Sequence, residues 1–225
     1  MKKTVIFDFD GVLANSEIIA LAELQTSLEE YGITVDWDTL VEKFLGASIK
    51  QITAFVENST GKPVEPAFQK DWYARLFDRY ARELQPMTGA ADMLDSLDAA
   101  GIGYCIASGG SYKRLGVALE CIGFADRFRG RAFSAESVEH GKPAPDVFLY
   151  AAEQSDAQAG DCVVLEDSIA GVIAAGRAGM RCVGFVGGGH LEGIRPLHAE
   201  RLQSAGADTV LTDLSGFRQA AFGAA

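Results

Sequence analysis

Two aspartates, Asp8 and Asp10, follow a short apolar stretch near the start of the chain and have the types and spacing needed for chemistry. The stretch Val5-Ile6-Phe7 is typical of a strand that a parallel sheet buries on both faces. Residues two apart in a strand face the same side, so both carboxylates can approach one point. Close anions repel unless a cation or a shared proton separates them. The pair predicts a Mg²⁺-assisted site with one nucleophilic carboxylate and one acid/base; an ordinary Asp-Gly turn is the alternative.

A second polar segment, Ser108-Gly109-Gly110, follows the predicted strand at residues 104–107. A hydroxyl, successive backbone N–H groups and a helix beginning after Ser111 together offer a binding place for an anion. The alternative is a plain strand-to-helix turn in which a serine caps the helix.

Two further charged segments occupy comparable positions. Prolines at 143 and 145 fix the backbone around Lys142, so its ammonium can be held against a phosphate and a nucleophilic aspartate. Taken alone, that segment favours a solvated lysine before a helix. Glu166 and Asp167 directly follow an apolar strand and suit the oxygen-only coordination of Mg²⁺. Capping of the next helix by Asp167 and Ser168 is compatible with that role.

The elements that must hold these residues alternate between strand and helix from residue 86 onward. Strands are predicted at 104–107, 162–165, 182–186 and 209–211, helices at 90–100, after Ser111, after Pro145 and at 170–178, and loop at 130–139. Thr88 is expected to cap the first of these helices. The sequence therefore predicts an α/β fold, a Rossmann-like parallel sheet covered by helices on both faces.

A helical segment interrupts this pattern between the first two strands. A helix is expected from about Ser16, with Ser16 or Asn15 as its N-cap, and residues 36–85 continue as helices. The longest apolar stripe has four-residue spacing and is expected to be the packing face of a small bundle; it consists of Phe68, Trp72, Leu76, Tyr80 and Leu84.

Composition limits the classes of function. The net charge of −11 argues against nucleic acid as a partner, which requires a basic face. The apolar runs are too short for a membrane span, and Met1-Lys2-Lys3 shows no signal-peptide pattern. Four widely spaced cysteines are expected to be buried free thiols. These features predict a cytoplasmic protein, and they leave its oligomeric state open.

The four polar segments, in this order, resemble the haloacid dehalogenase (HAD) superfamily of phosphohydrolases, and most of all its β-phosphoglucomutase-like phosphatase branch. The resemblance covers nearly the whole chain. It implies an HAD-like core domain formed by residues 1–15 and 86–225, with an inserted helical cap domain at 16–85.

The resemblance also implies roles for individual residues. Asp8 attacks phosphorus to give an aspartyl-phosphate, and Asp10 protonates the leaving alcohol and then activates water. Ser108 and Lys142 hold the phosphate. Mg²⁺ is bound by Asp8, the backbone carbonyl of Asp10 and Asp167, with Glu166 as a direct or outer ligand. The residues expected to line the substrate site are Gly11, Gly46, Ser48, Gly109 and Gly110.

Departures from the mutase pattern favour simple hydrolysis of a small phosphorylated metabolite, such as a sugar or sugar-acid phosphate. In the phosphomutases that this chain resembles, a catalytic histidine occupies the position of Ala20. The mutase cap loop, similar to Lys-Gly-Val-Ser-Arg, is Leu45-Gly46-Ala47-Ser48-Ile49 here. A phosphomutase and a non-catalytic binding protein remain the alternatives.

Overall fold

A parallel sheet forms the centre of the computed structural model, which describes residues 3–223. Met1 and Lys2, on which the expectation about a signal peptide partly rests, lie outside the described residues. The strands are β1 (Thr4–Phe7), β2 (Gly103–Ser108), β3 (Ala132–Ser134), β4 (Cys162–Glu166), β5 (Arg181–Phe185) and β6 (Thr209–Leu211). Within residues 3–223 they form one sheet in the order β3-β2-β1-β4-β5-β6, with every neighbouring pair parallel. The predicted α/β class is confirmed.

Strand β1 lies in the middle of this sheet, between β2 and β4. Its last residue, Phe7, is paired with Ile106 of β2 and with Leu165 of β4. All four β1 residues are buried, as their continuous apolar pattern predicts. Because the strands are parallel and in this register, the segments that follow β1, β2 and β4 emerge at one edge of the sheet.

Four helices occupy the chain between β1 and the helix that precedes β2. They are α1 (Glu17–Glu30), α2 (Trp37–Phe44), α3 (Ile49–Thr60) and α4 (Ala67–Glu83). We refer to residues 17–83 as the helical segment. The side chains of the predicted stripe are buried in it from Phe68 to Tyr80, and Leu84, the next residue after it, is buried as well. Helix α1 packs against α4, and the Tyr73 hydroxyl of α4 lies 3.1 Å from the Ser111 hydroxyl beside the sheet.

The remaining helices cover the sheet. They are α5 (Ala90–Ala99), α6 (Tyr112–Cys121), α7 (Asp146–Gln154), α8 (Ile169–Arg177), α9 (Arg195–Ala205) and α10 (Phe217–Phe222). None of the helices among residues 3–223 has the length and apolar character needed to cross a membrane.

The structure corrects several details of the sequence prediction. Strand β3 lies inside the stretch expected to be loop, and helix α9 had not been predicted. Thr88 does not cap α5, because Gly89 holds the N-cap position with a φ of +82°. Ser16 precedes α1 without making a side-chain cap, since its hydroxyl donates to Asp10 instead. All four cysteines are free, but Cys121 is exposed rather than buried.

Candidate active site

Asp8 and Lys142 form a buried ion pair at the carboxyl end of β1. The backbone N–H of Asp8 continues the sheet by donating to the carbonyl of Leu165 at 2.9 Å. The Lys142 ammonium donates to Asp8 Oδ1 at 2.5 Å and to Glu166 Oε2 at 2.8 Å. The Lys142 side chain is 3% exposed, which excludes the alternative of a solvated lysine. Both acidic partners outweigh the effect of burial and raise the pKa of Lys142, which stays charged.

Three carboxylates converge beside this lysine. Asp8, Glu166 and Asp167 each offer an oxygen, and these atoms lie within 4.8 Å of one another. Burial raises the pKa of Asp8 well above its ordinary value, and the neighbouring charge of Glu166 raises it further. Burial and then Glu166 raise the pKa of Asp167 in the same way. Without a further cation besides Lys142, the three carboxylates are therefore electrostatically unfavourable in their charged form.

The donor set fits a divalent cation of the Mg²⁺ type. Asp167 Oδ2 is buried and accepts no hydrogen bond from residues 3–223, so it has a free coordinating oxygen. Glu166 is already occupied: Oε1 accepts from the N–H and hydroxyl of Ser168, while Oε2 accepts from Lys142. Asp8 and Asp167 are accordingly the better direct ligands, and Glu166 the better outer one.

The absence of a side chain at Gly11 leaves room for the Asp167 carboxylate. Its φ is +80°, and a Cβ at this position would lie 1.9 Å from Asp167 Oδ2. A side chain here would displace the carboxylate. Gly11 therefore borders the carboxylate cluster, and it was predicted to line the substrate site.

Asp10 faces the same cleft but is held by different partners. Its Oδ1 accepts from the Ser16 hydroxyl at 2.5 Å and from Arg114 Nη2 at 2.8 Å. Its side chain is not part of the three-carboxylate cluster found among residues 3–223. A metal contact by Asp10 would therefore have to come from its backbone carbonyl.

The segment after β2 supplies backbone groups to the opposite wall. The Ser108 hydroxyl accepts from the N–H of Gly110 at 3.0 Å, and the Gly110 carbonyl accepts from the Ser134 hydroxyl at 2.6 Å. Ser111 caps α6 by accepting from the N–H of Arg114 at 3.2 Å, a feature that the alternative of a plain strand-to-helix turn had included. This loop is thus fixed at both ends before the helix begins.

The helical segment closes the cleft through the loop between α2 and α3. A Cβ added to Gly46 would lie 3.3 Å from the Ser168 hydroxyl, and one added to Gly109 would lie 3.3 Å from the Gly46 carbonyl. Ser48 is directed elsewhere: its hydroxyl accepts from Gln51 as the N-cap of α3.

Most of the predicted site residues come together in one cleft. Its lining includes Asp8, Asp10, Gly46, Gly109, Gly110, Lys142, Glu166 and Asp167. Three other predicted residues, Gly11, Ser48 and the buried Ser108, are not among its lining residues.

The sequence reasoning missed four residues around this site. Arg114 and Glu17 line the cleft. His190 Nε2 lies 3.3 Å from Asp167 Oδ2, and burial lowers the pKa of His190 to about 4. His198 Nε2 lies 2.7 Å from the Asp167 carbonyl oxygen. The sequence carries no local signal for these contacts, since each joins segments far apart along the chain.

Comparison with known proteins agrees with this geometry. The sequence pattern of the family described as haloacid dehalogenase-like hydrolase matches residues 5–185. The chain belongs to this family, which confirms the resemblance seen in its sequence.

Similar proteins include phosphatases. The 6-phosphogluconate phosphatase of Escherichia coli (strain K12) is 28% identical over 192 residues, covering 84% of each chain. A probable pseudouridine-5'-phosphatase of Drosophila melanogaster is 31% identical over 226 residues, covering 97% of this chain and 92% of its own. One longer relative is matched over only 17% of its length. These relatives support a phosphoric monoester hydrolase.

A solved structure shares the whole architecture. The HAD family hydrolase from Deinococcus radiodurans R1, determined with bound phosphate and sodium, has a TM-score of 0.74 and 31% identity. The match covers 97% of this chain and 94% of the other. The α/β core with its helices is therefore a fold that this family uses.

Proposed function

We propose that this protein is a Mg²⁺-dependent phosphatase that hydrolyses a small phosphorylated metabolite, a sugar or sugar-acid phosphate, through an aspartyl-phosphate intermediate. The observation that carries the proposal is the buried Asp8, bound at 2.5 Å by Lys142, with Asp10 two residues further on in the same cleft. This arrangement has a fixed nucleophile, a separate acid/base and a cation for the charge of the phosphate.

Asp8 is prepared for attack by the way it is held. Lys142 binds only Oδ1, and the other oxygen of Asp8 accepts no hydrogen bond from residues 3–223. That second oxygen can form a bond to phosphorus while the bond from phosphorus to the ester oxygen breaks. The departing alkoxide takes a proton from Asp10, and the result is an acyl phosphate on Asp8.

Hydrolysis of that intermediate uses the same groups in reverse. Asp10, now unprotonated, removes a proton from the water that attacks phosphorus, and Asp8 is released as a carboxylate. In the proposal, backbone N–H groups of the Ser108-Gly109-Gly110 loop, just before α6, bind phosphate oxygens, and Gly110 gives up its bond to the Ser108 hydroxyl to do so. Lys142 stays charged throughout and offsets the negative charge of both phosphate and Asp8.

Asp8, Asp167 and the backbone carbonyl of Asp10 would hold Mg²⁺, which supplies positive charge to the phosphate oxygens and relieves repulsion within the acidic cluster. The unpartnered Asp167 Oδ2 supports this assignment.

We further propose that residues 16–85 form the cap domain of the enzyme, over a core domain of residues 1–15 and 86–225. Support comes from the loop at Gly46 and Ala47, which lines the cleft from the side opposite the sheet. Closure of this loop excludes bulk water from the reacting atoms.

One relative supports the proposed substrate class, and the composition of the helical segment supports hydrolysis over a mutase reaction. The similar E. coli protein acts on 6-phosphogluconate. Ala20 is buried in α1 and offers no group for acid/base work on a second phosphate, so release of phosphate is favoured over its return to the product. The proposed partner is thus a small cytoplasmic metabolite rather than a nucleic acid or a membrane.

Phosphate release from a panel of sugar, sugar-acid and nucleoside phosphates, with Mg²⁺ or with EDTA, tests the proposal. The wild-type protein should release phosphate only with Mg²⁺, and Asp8→Asn should lose at least about 1,000-fold in kcat. An isomerised sugar phosphate without free phosphate would indicate a mutase. Binding without either product would refute the catalytic proposal.

A further inference from the structure

Arg114 is a buried arginine whose partners come from separate parts of the chain. It lies in the first turn of α6 and is 8% exposed. Its Nη2 donates to Asp10 Oδ1 at 2.8 Å and to Glu17 Oε2 at 3.1 Å, and its Nε donates to the Tyr80 hydroxyl at 3.2 Å. A buried charge is costly unless it is paired and hydrogen-bonded, so these partners fix the guanidinium.

The two carboxylate oxygens of Asp10 differ in their hydrogen bonding. Oδ1 accepts from Arg114 and also from the Ser16 hydroxyl. Oδ2 accepts no hydrogen bond from any residue between 3 and 223. It lies near Gly110, where an added Cβ would be 3.6 Å away. One oxygen is therefore held in place, and the other is free to exchange a proton with a substrate or a water molecule.

Glu17 connects this contact to the closure of the helical segment. While its Oε2 accepts from Arg114, its Oε1 accepts from the N–H of Gly46 at 3.3 Å. Gly46 belongs to the loop that packs on the core beside Ser168. Glu17 and Tyr80 belong to the helical segment, whereas Asp10 and Arg114 belong to the sheet side. The hydrogen bonds of Arg114 are complete only when these two parts are packed together.

We infer that Arg114 is a positioning residue for Asp10, and that with Glu17 it orients the acid/base when the helical segment closes over the core. The inference rests on the proposed function. In the first half-reaction the bond from Asp8 to phosphorus forms, the ester bond breaks, and the Oδ2 proton of Asp10 passes to the leaving oxygen. Arg114 holds Oδ1 during this step and transfers no proton.

This role has a signature that a purely structural arginine lacks. An alkyl phosphate has a poor leaving group and needs a correctly oriented acid. An activated aryl phosphate such as p-nitrophenyl phosphate loses a stable phenolate and needs little protonation. A misoriented Asp10 should therefore harm the alkyl ester selectively, because general acid catalysis contributes about 10²–10⁴-fold when it is required.

The experiment compares Arg114→Gln, Arg114→Lys and wild type by kcat and KM on glycerol phosphate and p-nitrophenyl phosphate with Mg²⁺. Arg127→Gln is the matched control, because Arg127 pairs with Asp95 and Asp98 outside the cleft. Because its Asp10 is misoriented, Arg114→Gln should lose about 100-fold or more in kcat on the alkyl ester. On the aryl ester, the loss in kcat should be less than about tenfold. Arg114→Lys, which keeps the charge, should recover part of the alkyl activity.

Equal losses on both esters would overturn the inference while leaving the phosphatase proposal intact. A wild-type protein that hydrolyses neither ester, nor any compound of the metabolite panel, would overturn both. Arg114→Gln leaves the buried Glu17 carboxylate without its partner. If circular dichroism shows that this variant is poorly folded, the double variant Arg114→Gln/Glu17→Gln removes that unpaired charge. The same selective loss must then appear in the double variant, and its absence would refute the role of Arg114.

Discussion

Replacing Asp167 by asparagine is expected to stabilise the metal-free protein while abolishing its response to Mg²⁺. Asp167 is buried with Asp8 and Glu166, and oxygen atoms of the three lie within 4.8 Å of one another. At that separation two unit charges repel by roughly 3.5 kcal/mol at an effective dielectric constant near 20. Lys142 offsets part of this repulsion, so removing one charge should raise the free energy of unfolding by about 1–3 kcal/mol.

Asparagine is a suitable replacement because little hydrogen bonding is lost. Asp167 Oδ2 accepts no hydrogen bond from residues 3–223. Thermal unfolding in EDTA at pH 7 measures the effect, and a gain of about 2 kcal/mol corresponds to roughly 4–8 °C for a chain of this size. Asp71→Asn, at an exposed position, changes the net charge equally and should leave the melting temperature unchanged.

The pH dependence gives an independent check on the same reasoning. The pKa values of Asp8 and Asp167 are raised by burial, and then by Glu166, above the model-compound value of 3.8. The folded protein therefore keeps these protons to higher pH than the unfolded chain does. In EDTA the free energy of unfolding should fall as the pH rises above 3.8, by up to about 1.4 kcal/mol per pH unit for each proton.

Mg²⁺ should flatten this dependence in the wild-type protein and raise its melting temperature. A concentration 100 times the dissociation constant adds about 2.7 kcal/mol. Asp167→Asn should show a shallower slope in EDTA and little response to Mg²⁺. A variant that is less stable than wild type in EDTA, or that keeps the full Mg²⁺ response, would refute the account of the carboxylate cluster.

Two glycine substitutions test the space around the cluster. Gly11→Ala should weaken Mg²⁺ binding at least about tenfold by calorimetry, because its Cβ would lie 1.9 Å from Asp167 Oδ2 at a φ of +80°. Unchanged affinity would contradict this. Gly171→Ala should lower stability by about 1–3 kcal/mol and reduce kcat, since its Cβ would lie 2.0 Å from the Glu166 carboxyl group. Gly116→Ala is the control in a helix with no atom near its Cβ, and it should be neutral or slightly stabilising.

The strands next to the site were predictable because their signals are local. β1, β2 and β4 are short, mostly buried apolar runs; β2 and β4 end in a polar residue, and Asp8 directly follows β1. The predicted limits of β6 agree with the structure, Thr209–Leu211. In each case the sequence contains the periodicity and the turn residues that decide the element.

Helix α10 and two other elements, α9 and β3, were not predicted, and the last two escaped for identifiable reasons. Helix α9 buries His198 and Leu202, so it lacks the apolar stripe that marks an amphipathic helix. Strand β3 has three residues at the edge of the sheet, too few to show an alternation. Its pairing with β2, rather than its own sequence, makes it a strand.

The candidate site divides in the same way. The sequence by itself determined the chemical groups of the site: Asp8, Asp10, Lys142, Glu166 and Asp167. These signals are short-range, because strand ends and proline-bounded turns depend on neighbouring residues. Only the tertiary structure decided that Lys142 would contact Asp8 and Glu166 together.

The tertiary structure also decided which charges would support the acid/base. Arg114 and Glu17 are ordinary helix residues in the sequence, and no local pattern assigned either of them to the site. Packing of the helical segment on the sheet buries Arg114 between Asp10 and Glu17, and burial obliges these charges to pair. Such contacts join residues about a hundred positions apart, and no local pattern encodes them.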